Sequence, residues 1–155
     1  MSPKSLLRHP RVTSTIEELA DGRFLELIDD NINPAEVKKL VFVSGKFYYD
    51  LLEEREKNND TSAAIIRLEQ LYPLPEKQIR AIIASYPKNA KLVWCQEEPE
   101  NMGAWGYMMR VLRDLNLEVV SLPASASPAA GSPKVHEGRV RRMMEKLFEN
   151  ANVKA

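Results

Sequence analysis

The side chains able to do chemistry are few and scattered. Glu97 and Glu98 follow the apolar run 92–95 and lead through Pro99, Asn101 and Met102 to Gly103 and Trp105. Neighbouring carboxylates in an extended chain project to opposite faces, so these two do not make the shared pair that proton transfer at one atom requires. One of them alone can still bind a partner's Arg or backbone amides. Gly45-Lys46 resembles the close of a phosphate-binding loop, but Leu40 stands where its first Gly belongs and Phe47 replaces the Ser or Thr that would hold magnesium. No Gly-x-Gly-x-x-Gly and no Gly-x-Ser-x-Gly elbow is present. Cys95 is the only cysteine and follows Leu92, Val93 and Trp94, the setting of a buried, inert thiol. With only His9 and His136 to join it, a metal site lacks soft ligands. No catalytic residue and no metal site is therefore assigned.

Composition narrows the classes further. Twenty-two Lys plus Arg balance twenty-two Asp plus Glu, so no net field gathers nucleic acid or an anionic membrane. No stretch approaches the roughly twenty apolar residues that span a bilayer, and residues 1–10 lack the apolar core of a secretion signal. A lone cysteine points to a reducing compartment, the cytoplasm or a mitochondrial matrix.

Four apolar runs, residues 40–43, 63–68, 91–95 and 117–120, predict short buried strands. Between them the apolar spacing turns helical: Phe47, Tyr48, Leu51 and Leu52; Ile79, Ile82, Ile83 and Tyr86; Trp105, Met108, Met109 and Leu112. Behind Ser132-Pro133, a cap followed by a favoured first residue, Val140, Met143, Met144, Leu147 and Phe148 form the clearest stripe. Strand and helix alternating about every 25 residues imply right-handed crossovers and a mostly parallel sheet inside a three-layer α/β/α sandwich. Residues 1–39 read as an N-terminal arm, with a short helix over 14–20 and an extended 23–28; residues 40–150 as the α/β domain; residues 151–155 as a tail. Two loops exceed what a core requires. Along 95–105, Met102 and Trp105 anchor an interface if exposed, or Trp105 packs in the core. Along 123–132, small residues with two Pro and a Gly admit the close approach of a backbone or a phosphate, or simply link strand to helix.

Five segments then occur in a familiar order: residues 1–10 (MSPKSLLRHP), Ser44-Gly45-Lys46 with residues 48–52 (YYDLL), residues 67–73 (RLEQLYP), the Trp94-to-Trp105 stretch, and Ser125-Ala126-Ser127-Pro128-Ala129. Together they resemble the first, decarboxylating component of 2-oxoglutarate dehydrogenase, over residues 1 to about 148, in its final domain. The resemblance implies a transketolase C-terminal-like fold in a subunit that uses thiamine diphosphate and magnesium to decarboxylate 2-oxoglutarate. That subunit passes the succinyl group to the lipoyl arms of the dihydrolipoyl succinyltransferase component. The cofactor is held between other domains across a homodimer interface, so this part carries no cofactor of its own. Its expected partners are the upstream domains, the second subunit, and an effector such as acetyl-coenzyme A or AMP. Lys46, Arg67, Ser125 and Ser127 are the effector or anion-binding candidates, and Met102 and Trp105 the interface candidates. Thiamine enzymes hold their metal with Gly-Asp-Gly and a following Asn; here Ala20 precedes Asp21-Gly22 and the Asn58-Asn59 pair comes too late. The family commonly has an Arg where this chain has Leu122, which removes one bidentate phosphate partner. Two alternatives stay open: a free-standing nucleotide or acetyl-coenzyme A binding module, and the same domain from a 2-oxoadipate-type dehydrogenase.

Overall fold

The computed structural model describes residues 3–148; the expected tail, 151–155, lies outside them. The predicted runs become β2 (Lys39–Val43), β3 (Ala63–Leu68), β4 (Lys91–Pro99) and β5 (Leu117–Leu122), all parallel to their neighbours. A fifth strand, β1 (Leu27–Ile28), is added antiparallel to the outer edge of β3, giving the order β1-β3-β2-β4-β5. The arm expected over residues 1–39 therefore contributes a strand to the sheet. Ahead of β1, helix α1 (Ile16–Ala20) starts with a capping box in which the Thr15 hydroxyl accepts from Glu18 N and the Glu18 carboxylate accepts from Thr15 N.

Strand order decides where the helices go. From β2 the chain steps toward one edge to reach β3; from β3 to β4 and from β4 to β5 it steps the other way. Right-handed crossovers then place α2 (Phe47–Asn58) on one face and α3 (Glu76–Ser85) and α4 (Trp105–Val111) on the opposite one. The last helix, α5 (Pro133–Phe148), returns to the α2 face. Pleating divides the apolar residues between two cores. Val41, Val43, Ile65 and Val93 meet Phe47 and Leu51 of α2 and Met143 and Leu147 of α5. Leu40, Phe42, Ile66 and Trp94 meet Ile79 of α3 and Met108 of α4. Both faces of the strands are covered, which is why they read as continuous apolar runs instead of alternating ones. One expectation changes: Met109 does not join the buried stripe and is 53% exposed. In this helix of seven residues Met108, followed by Leu112, is buried against the sheet with Trp105, Tyr107 and Val111 beside it, and Met109 sits about 100° away from Met108.

Two hydrogen-bonded residues would hold the arm weakly, and buried polar links reinforce it. The Asp30 carboxylate accepts from the backbone N–H of Ile65, at 2.7 Å, and is paired with Arg55 of α2. Arg55 also donates to the Ala63 carbonyl at 3.2 Å. The Tyr86 hydroxyl donates to Asp29 at 2.8 Å, and burial, then that carboxylate, pushes the Tyr86 phenol well above its ordinary range. The exposed edge of β3 is thus closed by the chain itself. Because the Asp30 and Arg55 side chains are only 8% and 11% exposed, Arg55→Ala leaves a buried carboxylate uncompensated. It is expected to lower stability by about 3–5 kcal/mol in urea unfolding; a loss below about 1 kcal/mol would show that Asp30 is solvated once Arg55 is gone.

Candidate functional site at the strand ends

Neighbouring β2 and β4 send their chains to opposite faces, so a crevice opens beyond their carboxyl ends, the usual ligand position in an open α/β sheet. It encloses about 610 Å³ between Ser44-Gly45-Lys46, Tyr72, Tyr107 and Gly103, over a floor of Trp94 and Gln96. Gly45 turns the chain from β2 into α2 at φ +66°, a backbone that disfavours side chains even though a Cβ would meet nothing within 4 Å.

The buried Gln96 amide organises the floor. Its Oε1 accepts from Trp94 Nε1 at 2.8 Å and from the Trp105 backbone N–H at 3.0 Å. Its Nε2 donates to the carbonyls of Met102 at 2.8 Å and Pro99 at 3.1 Å. One side chain therefore fixes the loop from the end of β4 to the start of α4. Gly103, at φ +64°, lies so close that a Cβ would stand 3.0 Å from both terminal atoms of that amide.

The structure separates the effector candidates. Lys46 is ion-paired with Asp50 one turn along α2 and stands 4.0 Å from Glu97, which in turn is 3.3 Å from His136 Nε2. With Glu98 also on the rim, carboxylates outnumber the single cation there. Arg67, at the end of β3, is wrapped by Tyr48 and Tyr49, its Cζ 5.1 and 5.9 Å from their ring centroids. It donates to the Tyr49 hydroxyl at 3.0 Å. Its Nε is 2.8 Å from Glu69 Oε1 but off the N–H direction, an ion pair without a directed hydrogen bond. Burial pushes the Tyr48 phenol upward.

Ser125 and Ser127 belong to another place, beyond β5. Asn101 and Ser125 exchange two 3.0 Å hydrogen bonds, side chain to backbone, tying the loop after β4 to the loop after β5. The Ser125 hydroxyl accepts from Ser127 N at 3.2 Å, and the Ser127 hydroxyl donates to the Ala129 carbonyl at 2.9 Å. Met102 and Trp105 are both half-buried. The Trp105 ring packs on the second core while its backbone joins the Gln96 network. Glu97 and Glu98 lie in the extended end of β4. The Cys95 thiol is fully buried, and burial pushes it up to about 12.

The residues compared with a thiamine site serve helix ends: Asp21 is the C-cap of α1, and Asn59 that of α2, at φ 49°. Among the described residues no three His, Cys, Asp or Glu side chains converge where a metal ion could sit. Thiamine diphosphate with magnesium does not fit these donors, and no step through it is assigned to this chain. Among the described residues no helix is long and apolar enough to cross a membrane.

Gln96→Leu removes four well-formed partners of buried or half-buried groups and is expected to cost about 2–4 kcal/mol, with a changed Trp fluorescence. Gly103→Ala meets the same amide and an unfavourable φ, so it should cost about 1–2 kcal/mol. Unaltered urea midpoints in both would remove Gln96 from its organising role. The Cys95 thiol predicts an alkaline limit. Its ordinary value is 9.0 and its folded value about 12, so ionisation favours the unfolded chain. The thiol's contribution is constant below pH 9 and falls between pH 9 and 12, at a limiting slope of about 1.4 kcal/mol per pH unit. Above pH 10 the raised Tyr48 and Tyr86 phenols add to that fall. Cys95→Ala should flatten that limb in urea titrations across pH.

The pattern of a family described as "2-oxoglutarate dehydrogenase C-terminal" matches residues 13–148. The chain is 43% identical over 152 residues to the 2-oxoglutarate dehydrogenase E1 component of Haemophilus influenzae, covering 94% of this chain and 16% of that protein. It is 42% identical over 151 residues to the oxoglutarate dehydrogenase of Buchnera aphidicola, with 93% and 16% covered. To the 2-oxoglutarate dehydrogenase E1 component of Azotobacter vinelandii it is 40% identical over 158 residues, with 96% and 17% covered. The chain thus spans about one sixth of the length of the curated relatives it matches. A match over nearly the whole chain, on a mostly parallel α/β sandwich, makes it a member of the 2-oxoglutarate dehydrogenase C-terminal family.

Proposed function

We propose that this chain is the C-terminal assembly and regulatory domain of the decarboxylating component of a 2-oxoglutarate dehydrogenase, and that it does not turn over substrate alone. The observation that carries this reading is a run of exposed apolar side chains along the arm. Among the described residues, six of the nine exposed large hydrophobic side chains fall between Leu7 and Leu25: Leu7, Val12, Ile16, Leu19, Phe24 and Leu25. Helix α1 buries none of its residues, and five residues of helix are marginal in water without a packing partner. Large apolar side chains left exposed this densely along one segment point to an interface. Its occupant in this reading is the preceding part of a longer subunit, which also holds the thiamine diphosphate and magnesium. There 2-oxoglutarate is decarboxylated and the succinyl group passed to lipoyl arms of a succinyltransferase component, in the cytoplasm.

Met102 and Trp105 are the proposed anchors of a subunit interface. A nucleotide-type effector, acetyl-coenzyme A or AMP, is the proposed regulator; of its candidate contacts, Lys46 and Arg67 stand at the ends of β2 and β3, whereas Ser125 and Ser127 lie apart from them beyond β5. Calorimetry with acetyl-coenzyme A on the chain and on its Arg67→Ala variant tests that part.

Supplied with 2-oxoglutarate, thiamine diphosphate and magnesium, the 155-residue chain is expected to release no carbon dioxide; measurable turnover would overturn the proposal. Replacing Ile16, Leu19 and Phe24 together by Glu should change the stability of this chain by no more than about 0.5 kcal/mol per site, since all three are exposed. In the full-length subunit the same change should lower the melting temperature and, in analytical ultracentrifugation, shift dimer toward monomer, as should Trp105→Ala. Full-length variants indistinguishable from the parent in both measurements would sink the interface reading.

A further inference from the structure

The charges of α5 are sorted by flank. Toward α2, Glu137, Arg141 and Glu145 line one groove, and Arg141 Nε lies 3.8 Å from Glu145. Toward the segment that follows β5, Arg139, Arg142 and Lys146 line a second groove of about 490 Å³. They stand at i, i+3 and i+7, one face of the helix. No carboxylate lines that groove, and among the described residues none is ion-paired with any of the three. Uncompensated like charges one turn apart on a helix repel, costing a few tenths of a kcal/mol per pair. Evenly solvated surfaces intersperse the two signs, whereas here both acids go to the opposite flank.

The groove also has shape. Its far wall is Ser121, Leu122, Pro123, Ala124 and Ser125, and Met143 forms the floor. That wall is held still: the Asn101 side chain clamps the Ser125 backbone through both of its hydrogen bonds. The Ser125 hydroxyl accepts from Ser127 N, which leaves its own proton to donate. Arg139 also lines the adjoining groove with Ser127 and Gly131, where Glu97 and Glu98 are present, so the carboxylate-free cationic surface is confined to the groove beside residues 121–125. Its volume falls in the range of small-molecule sites. Two guanidinium forks one turn apart suit neighbouring anionic groups with several acceptor oxygens each.

We propose that the groove between α5 and the segment after β5 binds a small molecule carrying two linked phosphates, gripped by Arg139 and Arg142, with Lys146 and the Ser125 hydroxyl at its ends. Lys146 also offsets the negative end of the α5 dipole, so the two arginines decide the site. The proposal rests on the placement of charge in this chain and is independent of any effector at Lys46 and Arg67.

The test is calorimetry on the 155-residue chain at low ionic strength, where screening is weak, with inorganic pyrophosphate as the probe. One pyrophosphate per chain is expected. Arg139→Gln and Arg142→Gln should each weaken it about tenfold or more, while Arg141→Gln stays within about twofold because its side chain faces the other flank. Since all three side chains are exposed, thermal melts should coincide with the parent and exclude unfolding as the cause. ADP binding about tenfold tighter than pyrophosphate would identify a nucleoside diphosphate that uses the apolar wall; equal affinity would identify the diphosphate alone as the group read. Four results overturn the proposal: no binding, sulfate binding as tightly, equal loss in Arg141→Gln, or loss in Arg67→Ala with none in Arg139→Gln. A polyglutamate peptide binding more tightly than pyrophosphate would also overturn it, assigning the strip to an acidic polypeptide.

Discussion

A parallel strand has to end somewhere, and where β4 ends the chain must change direction within a few residues while remaining packed under a crevice. The Gln96 side chain makes that change definite. It accepts from the Trp94 ring nitrogen on its own strand and from the first N–H of α4, and donates to two carbonyls of the loop between them. A carboxamide can do this because it offers two acceptor and two donor positions on one flat group. An acid would offer no donors and a hydroxyl would have too short a reach. The loop backbone, otherwise poor in regular hydrogen bonds, is satisfied from beneath, and Gly103 is required because any Cβ would press on the amide. The ends of β4 and β5 are tied together through this point: Asn101 emerges from the same loop and holds the Ser125 backbone of the segment beyond β5.

The two cores explain how one short sheet carries surfaces with different purposes. Because β2 lies at the point where the connections reverse, its carboxyl end opens between helices on opposite faces. The α2–α5 side is tied by hydrophobic contacts and by Lys39, whose ammonium donates to the Leu147 carbonyl at 2.5 Å across the base of the sheet. The arm closes the opposite edge through Asp29 and Asp30. What remains unsatisfied lies outside these ties, in the apolar residues between Leu7 and Leu25 and in the cations on one flank of α5.

The four parallel strands and their helices were legible because burial on both faces leaves an uninterrupted apolar run, and no other element of this length does so. β1 was not legible as a strand. Leu27 and Ile28 pair only because Leu68 and Arg67 present an open edge and Asp30 finds Arg55, contacts distant in sequence. Met109 was misplaced because a helix of seven residues constrains the buried face poorly, and Met108 and Met109 fit the pattern equally well until the sheet is in place. Gln96 carried a usable signal. In a strand it shares a face with Trp94, so a polar side chain two residues after a large buried ring had to be turned inward and bonded. For Lys46 and Arg67 the charges were visible but their partners were not, since Glu97 and His136 come from other elements and the tyrosines wrap Arg67 only after α2 has docked on β3.

Net charge concealed the electrostatic organisation. Twenty-two cations and twenty-two anions sum to nothing, yet their distribution is uneven where it can be read. Lys46, just after β2, and Arg55, beside the arm, are each matched by carboxylates within ion-pair distance. Such pairs hold elements together and leave little charge for a ligand, since the field of each cation is already met at contact range. Arg139 and Arg142 lie on a rigid helix of sixteen residues, anchored from below by Met143, Met144 and Leu147, and face a loop clamped by Asn101. Their positions are therefore set before any anion arrives, and preorganised charge binds with a smaller entropic penalty than charge on mobile loops. Cations of the same formal charge thus divide into those that fasten the fold and those the fold presents, a division made by partners distant in sequence and therefore invisible in composition.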